Sequence, residues 1–220
     1  MDPLDHLAGS AADLLGRVDG SLLAAGAPGD HRIWPLLRRV RALPGDAAHA
    51  VTGLRAAPLV AAGGARRTLL RRYDEAHGAL ADGGSWQGSG AEAFAAHRAA
   101  LAAHLADGAE SLAGRIEATA AYADAIADWI SRTRAALART LGDVLGSAEA
   151  VAMVTAGTGD GSIPAALAAA EIGARVLTTV AEAYDEAESL PPRWAPALLD
   201  LAFMAPDGPT TRPDTTRIVL

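Results

Sequence analysis

Ser85-Trp86-Gln87-Gly88-Ser89-Gly90 is a polar, glycine-rich turn carrying one tryptophan, set between two long segments of helical apolar rhythm. Before it the rhythm falls at Leu59, Ala62, Leu69, Tyr73, Ala76 and Leu80, with Arg66 interrupting. After it the rhythm resumes at Phe94, Leu101, Leu105, Leu112 and Ile116. Steps of three and four keep each set on one helix face. Folding the chain back at Gln87 sets Leu80 opposite Phe94, Tyr73 opposite Leu101, Leu69 opposite Leu105 and Ala62 opposite Leu112. The same mirror brings Arg66 and Arg67 level with Asp107 and Glu110, and Arg55 level with Glu117. The pattern predicts an all-α fold, an elongated antiparallel helical bundle built on a long helical hairpin with a Trp-x-Gly turn.

Composition agrees with that class. The chain has 220 residues, half of them hydrophobic, enough to bury a real core. Alanine is very abundant, all 19 basic residues are arginine and only 4% of residues are aromatic, a composition that favours helix. The Ala/Arg bias also suggests a GC-rich coding sequence, as in actinobacteria. Without cysteine there is no disulfide, thiolate metal site or cysteine nucleophile. Met1-Asp2-Pro3-Leu4-Asp5-His6 lacks the positive, then apolar, character of a Sec signal, and no run of about eighteen uninterrupted apolar residues suggests a membrane span. A net charge of −7 argues against a nucleic-acid partner overall. The distribution is uneven, since His31 to Arg72 holds nine arginines against Asp46 alone, while Tyr73 to Asp128 holds nine acids against Arg98 and Arg115. The two runs are expected to neutralise one another in the hairpin, with an anionic partner such as lipid or nucleic acid as the alternative.

Four regions are expected along the chain. Residues 1–45 hold a first helix from about 3 to 25, stopped at Gly26-Ala27-Pro28-Gly29, and a short second one capped by Asp30. Residues 46–155 hold the hairpin. Asp46 opens its ascending arm, Pro58 and Gly63-Gly64 predict a kink or break near Ala57, and Asp82-Gly83-Gly84 ends it. Ser89 with Glu92 forms a capping box for the descending arm, which is free of proline over the 66 residues from Ser89 to Val154. If straight it would extend roughly 100 Å, unless Gly108, Gly114, Gly142 or Gly146 bends it. Residues 156–190 hold a packing helix capped by Ser162 and ended by Pro191-Pro192, with Leu167, Ala170, Ala174, Leu177, Ala181 and Tyr184 on its inner face. Residues 191–220 are read as a short apolar segment followed by a flexible Pro/Thr/Asp-rich tail.

Chemistry-bearing patterns are few. His77, His97 and His104 could converge across the hairpin as a three-histidine zinc site, but no HExxH occurs and alanine surrounds each. They are read as partly solvated spacers, and no metal is assigned. Gly157-Thr158-Gly159-Asp160-Gly161 has neither a Lys-Ser/Thr pair nor a preceding strand, so it reads as a helix-to-helix loop and not as a phosphate cradle. Neither a GxSxG elbow nor an SxxK pair is present. No catalytic centre and no cofactor are expected.

Trp86-Gln87-Gly88 at a hairpin tip resembles the WXG superfamily of ESX-type (type VII) secretion substrates, over roughly Asp46 to Val154. A second family feature, a Tyr-x-x-x-Asp/Glu export signal, is matched by Tyr184 and Glu188. Four residues apart on a helix, they share one face and can be read together. The resemblance implies a non-enzymatic protein, exported folded by a non-Sec route to the outside or the cell envelope. It implies recognition by Trp86, Gly88, Tyr184 and Glu188, with the type VII machinery and a homo- or heterodimer partner of the same family as partners. The chain is longer than the small members and more like the PPE-like, EspB-like or toxin-carrying ones, so its third long helix could fill the bundle from within. Two other roles fit the same pattern: the helical targeting part of a polymorphic toxin, and an intracellular scaffold.

Overall fold

The computed structural model describes residues 2–81, 87–156 and 162–198, and every regular element among them is helical. In chain order these are α1 (Pro3–Ala25), α2 (Ile33–Val40), α3 (Pro44–Gly53), α4 (Ala57–Ala81), α5 (Ser89–Ala106), α6 (Leu112–Leu145), α7 (Ala148–Ala156) and α8 (Ile163–Trp194). A 3-10 turn, Ala195–Leu198, follows α8. Two compact units divide the chain, one of residues 1–60 and 123–193, the other of residues 61–122 and 194–220.

The first unit holds the core. α1 begins where expected because Asp2 accepts the Leu4 N–H at 2.9 Å, with Pro3 leading the first turn. It ends at Gly26, whose φ of 72° a side chain would strain. Leu4, Ala11, Leu14, Leu15, Val18 and Leu22 are buried from it, at steps near three and four. α6 lies antiparallel to α8. The Trp129 indole N–H donates to the Ala183 carbonyl at 3.0 Å, and eleven residues further along α6, Thr140 meets Thr179 at 2.8 Å. α8 is the central element, burying Ala169, Ala170, Ile172, Ala174, Val176, Leu177 and Val180 almost completely. It alone among the described helices is long and apolar enough to cross a membrane, but 61% of its most apolar window is buried by the protein itself. A buried side chain of Leu, Ile or Val size stabilises by about 1.5–3 kcal/mol, so the weight of folding energy falls on this unit. No residue of α5 is buried, and none from Ala57 to Leu80 is either.

Several expectations are corrected. Asp30 does not cap α2. Arg32 holds that position without a side-chain bond, and the Ile33 N–H instead donates to His31 Nδ1 at 3.2 Å. The ascending arm does not open at Asp46, since Pro44 already leads α3, but the break expected near Ala57 is present: the helix stops at Leu54 and α4 starts at Ala57. Pro58 therefore sits in the first turn of a new helix, where its missing N–H leaves nothing unpaired. The end expected at Asp82-Gly83-Gly84 lies outside the described residues, as do Gly157 to Gly161. Pro191-Pro192 do not end α8 either. Only Arg193 and Trp194 follow, however, before the chain tightens into the 3-10 turn.

The continuous descending helix is broken twice. Gly108 takes a φ of 84°, and Ser111 closes the corner by donating its hydroxyl to the Gly108 carbonyl at 2.7 Å while accepting the Gly114 N–H at 3.0 Å. The turn is so tight that a Cβ on Gly114 would stand 2.5 Å from the Gly108 oxygen and 2.7 Å from that of Ala109. Arg115 braces the corner by pairing with Glu110 and donating to the Pro196 carbonyl at 2.8 Å. The second break follows Leu145, where Ser147 accepts the Ala150 N–H at 3.2 Å to start α7.

The apolar face of α4 is also displaced from the expected one. Leu59, Gly63, Arg66, Leu70, Tyr73 and Leu80 are half-buried, whereas Ala62, Leu69 and Ala76 are exposed. Leu70 and Asp74 line a cavity of about 670 Å³ with Ala106, Gly108, Ala113 and Glu117, so Leu70 takes the place assigned to Leu69. Phe94, expected inside, is 52% exposed. On α8, Leu167 likewise leaves the inner face, at 47% exposed.

Candidate recognition site

Of the four residues singled out by sequence, Tyr184 and Glu188 fall on α8 and Gly88 stands just before α5. Trp86 lies outside the described residues. Gly88 occupies the position just before α5, with φ 106° and ψ 177°, a conformation that a side chain would strain. Its carbonyl accepts the Glu92 N–H at 3.1 Å, opening the helix. The capping box expected of Ser89 and Glu92 is absent, because Ser89 is already helical and no side chain caps α5. The glycine of the Trp-x-Gly motif thus has a backbone reason to be there.

Tyr184 and Glu188 lie one turn apart on α8. Tyr184 is half-buried and packs against the core cluster of the first unit. Glu188 points to α2. Arg39, in the last turn of α2, gives one guanidinium nitrogen, Nη2, to both Glu188 Oε2 at 2.7 Å and Asp185 Oδ1 at 2.6 Å, and its Nε donates to Asp185 Oδ1 at 3.2 Å. These hydrogen bonds, that of Asp185 first, raise the pKa of the guanidinium. The side chains of Asp185 and Glu188 each stay 68% exposed. Glu186, between them, pairs with Arg132 of α6. The acidic turn of α8 is therefore held from two neighbouring helices.

Comparison with protein-family models, curated proteins and solved structures gives no match.

A second polar cluster lies outside the residues singled out from the sequence. Arg134 of α6 is buried, and it pairs with Asp2 and, at 2.6 Å, with Asp5 at the start of α1. Its Nη1 also donates to the carbonyls of Thr52 at 2.7 Å and Leu54 at 3.2 Å, where α3 ends. Burial opposes its charge, but Asp2 and Asp5 outweigh that and raise its pKa. The Arg134 hydrogen bond in turn holds the Asp2 carboxyl below its ordinary value. The signal was its position: Arg134 interrupts the buried row Ile130, Leu137, Leu141 and Val144, where a cation needs partners. Among the described residues, no three His, Asp or Glu side chains gather closely enough to hold a metal, so His77, His97 and His104 are not brought together as one.

Proposed function

We propose that this chain is a non-enzymatic type VII (ESX) secretion substrate, or a substrate-like helical module, exported folded. In this role α4 and α5 are the arms of an elongated hairpin, with Trp86-Gln87-Gly88 between them, and Tyr184 with Glu188 is the export signal. The observation that carries it is the pairing of Tyr184 with Glu188 on one face of a regular helix, with Glu188 still largely open to solvent. The positive φ at Gly88, which a side chain would strain, supports a specific role for glycine in the Trp-x-Gly motif. Exposed Leu69 and Phe94 favour a partner chain against the hairpin arms.

The test compares culture supernatants of a secreting strain expressing wild type, Trp86→Ala and Tyr184→Ala. Loss of release in both variants, with cytoplasmic levels unchanged, is the expected result. Equal release of all three removes the export role, and retention of the wild type favours an intracellular scaffold.

A further inference from the structure

We infer that the export signal is a two-helix surface in which Arg39 of α2 is a specificity-determining residue alongside Tyr184 and Glu188 of α8. This rests on the secretion role proposed above and adds to it a residue 149 positions away from Glu188 in sequence.

A glutamate on an exposed helix face samples several rotamers, and a partner that reads it must fix one. Here Arg39 has already done so, because its Nη2 bridges Glu188 Oε2 and Asp185 Oδ1. One oxygen of each carboxylate is engaged, and both side chains remain mostly accessible, so the contact orders the acids without covering them. Arg39 is itself 37% exposed and presents its guanidinium beside them. α2 is anchored for this task by Ile33 and Val40, which are buried in the core, and its orientation is kept by Arg32 on Glu171 at 2.8 Å. Tyr184 is ordered from the other side by the core against which it packs. Ordering before binding lowers the entropy lost on binding, and gains affinity without a new contact. The fitting partner is a protein surface with an apolar recess for the Tyr184 ring, a donor for the carboxylates and an acceptor for Arg39. Such a surface exists only when α2 and α8 are packed, so it selects the folded chain over an unfolded one.

The decisive experiment measures release of the full chain from a secreting strain for wild type, Tyr184→Ala, Arg39→Ala and Asp185→Asn, with melting curves of each purified protein. Exposed ion pairs contribute little to stability, so both pair variants should melt with wild type. Several-fold lower release of Arg39→Ala and of Asp185→Asn, beside loss of Tyr184→Ala, is expected. If Tyr184→Ala is lost but both pair variants are released like wild type, the signal is linear and the two-helix surface is wrong, while the secretion role stands. If Tyr184→Ala itself is released like wild type, the role fails and this inference with it. Should Arg39→Ala melt early, Arg39→Gln, which keeps most of the side-chain stem but removes the charge that bridges Glu188 and Asp185, decides by the same two outcomes.

Discussion

Gly173 and Ile33 approach so closely that a Cβ on the glycine would stand 2.8 Å from the isoleucine Cδ1, with Pro44 Cγ at 2.9 Å on another side. α8 thus meets the starts of α2 and α3 at a point where only hydrogen fits. Ile33 is fully buried and Pro44 is rigid, so neither can swing away. Gly173→Ala should destabilise by about 1–3 kcal/mol despite the better helix propensity of alanine. Chemical denaturation checks it, and a neutral or stabilised variant would contradict the close crossing.

Arg134 should be a costly side chain to lose. Arg134→Met leaves the carbonyls at the end of α3 without their donor and Asp2 and Asp5 without a cation, for a loss of about 2–4 kcal/mol. Arg134→Lys should lose less, about 1–2 kcal/mol, since one ammonium cannot span both carboxylates and the carbonyls. Urea unfolding of the three proteins should rank them in that order.

The pH response should carry two carboxylates of opposite sign. Asp19 on α1 accepts the Gly45 N–H at 3.0 Å, and burial pushes its pKa up to about 6, against the pull of that bond and helped by Asp46. The folded state therefore holds this proton more tightly than the unfolded one. Its contribution is full below about pH 4 and is lost as pH rises through 6. Asp19→Asn should thus be more stable than wild type at pH 7, by about 1–2 kcal/mol after allowing for partial exposure, with the difference closing towards pH 4. Asp2 runs the other way, because the Arg134 hydrogen bond lowers its pKa. Its contribution is present above its unfolded value and fades as acid protonates it. Melting temperatures of wild type and Asp19→Asn between pH 4 and 8 test the first sign, and those of wild type and Asp2→Asn below pH 4 test the second.

Ser111→Ala should open the corner between α5 and α6 by removing one acceptor and one donor, costing about 0.5–2 kcal/mol. Gly114→Ala should do the same by collision with backbone oxygens. The double variant should cost less than the sum, because both act on one turn. Hydrogen exchange at Ser111, Gly114 and Arg115 would locate the change.

Much of the helical layout was legible because its signals are local. The three-four spacing of Leu4 to Leu22 followed by Gly26 marks α1, and Ser162 before Pro164 marks the start of α8, where it accepts the Ala165 N–H at 3.4 Å. The face of α4 was not legible, since alanine on every side gives little contrast and Arg66 can lay its aliphatic stem along the half-buried stripe. A glycine in a helix costs about 1 kcal/mol and is often tolerated, so Gly108 or Gly114 alone does not announce a break. Only with Ser111 midway do they make a corner. At the candidate site, the spacing of Tyr184 and Glu188 is local and could be read. Arg39 could not, because nothing in its basic run singles out which arginine will meet α8.

Trp129 hands its indole N–H to a carbonyl of the opposite helix at 3.0 Å, which makes it a natural optical probe of the seam between α6 and α8. If those helices slide apart, water replaces that carbonyl and the emission moves to the red. With Trp34, Trp86 and Trp194 changed to phenylalanine, the fluorescence of the whole protein would come from this one ring, and loosening of the first unit could be timed in a stopped-flow instrument.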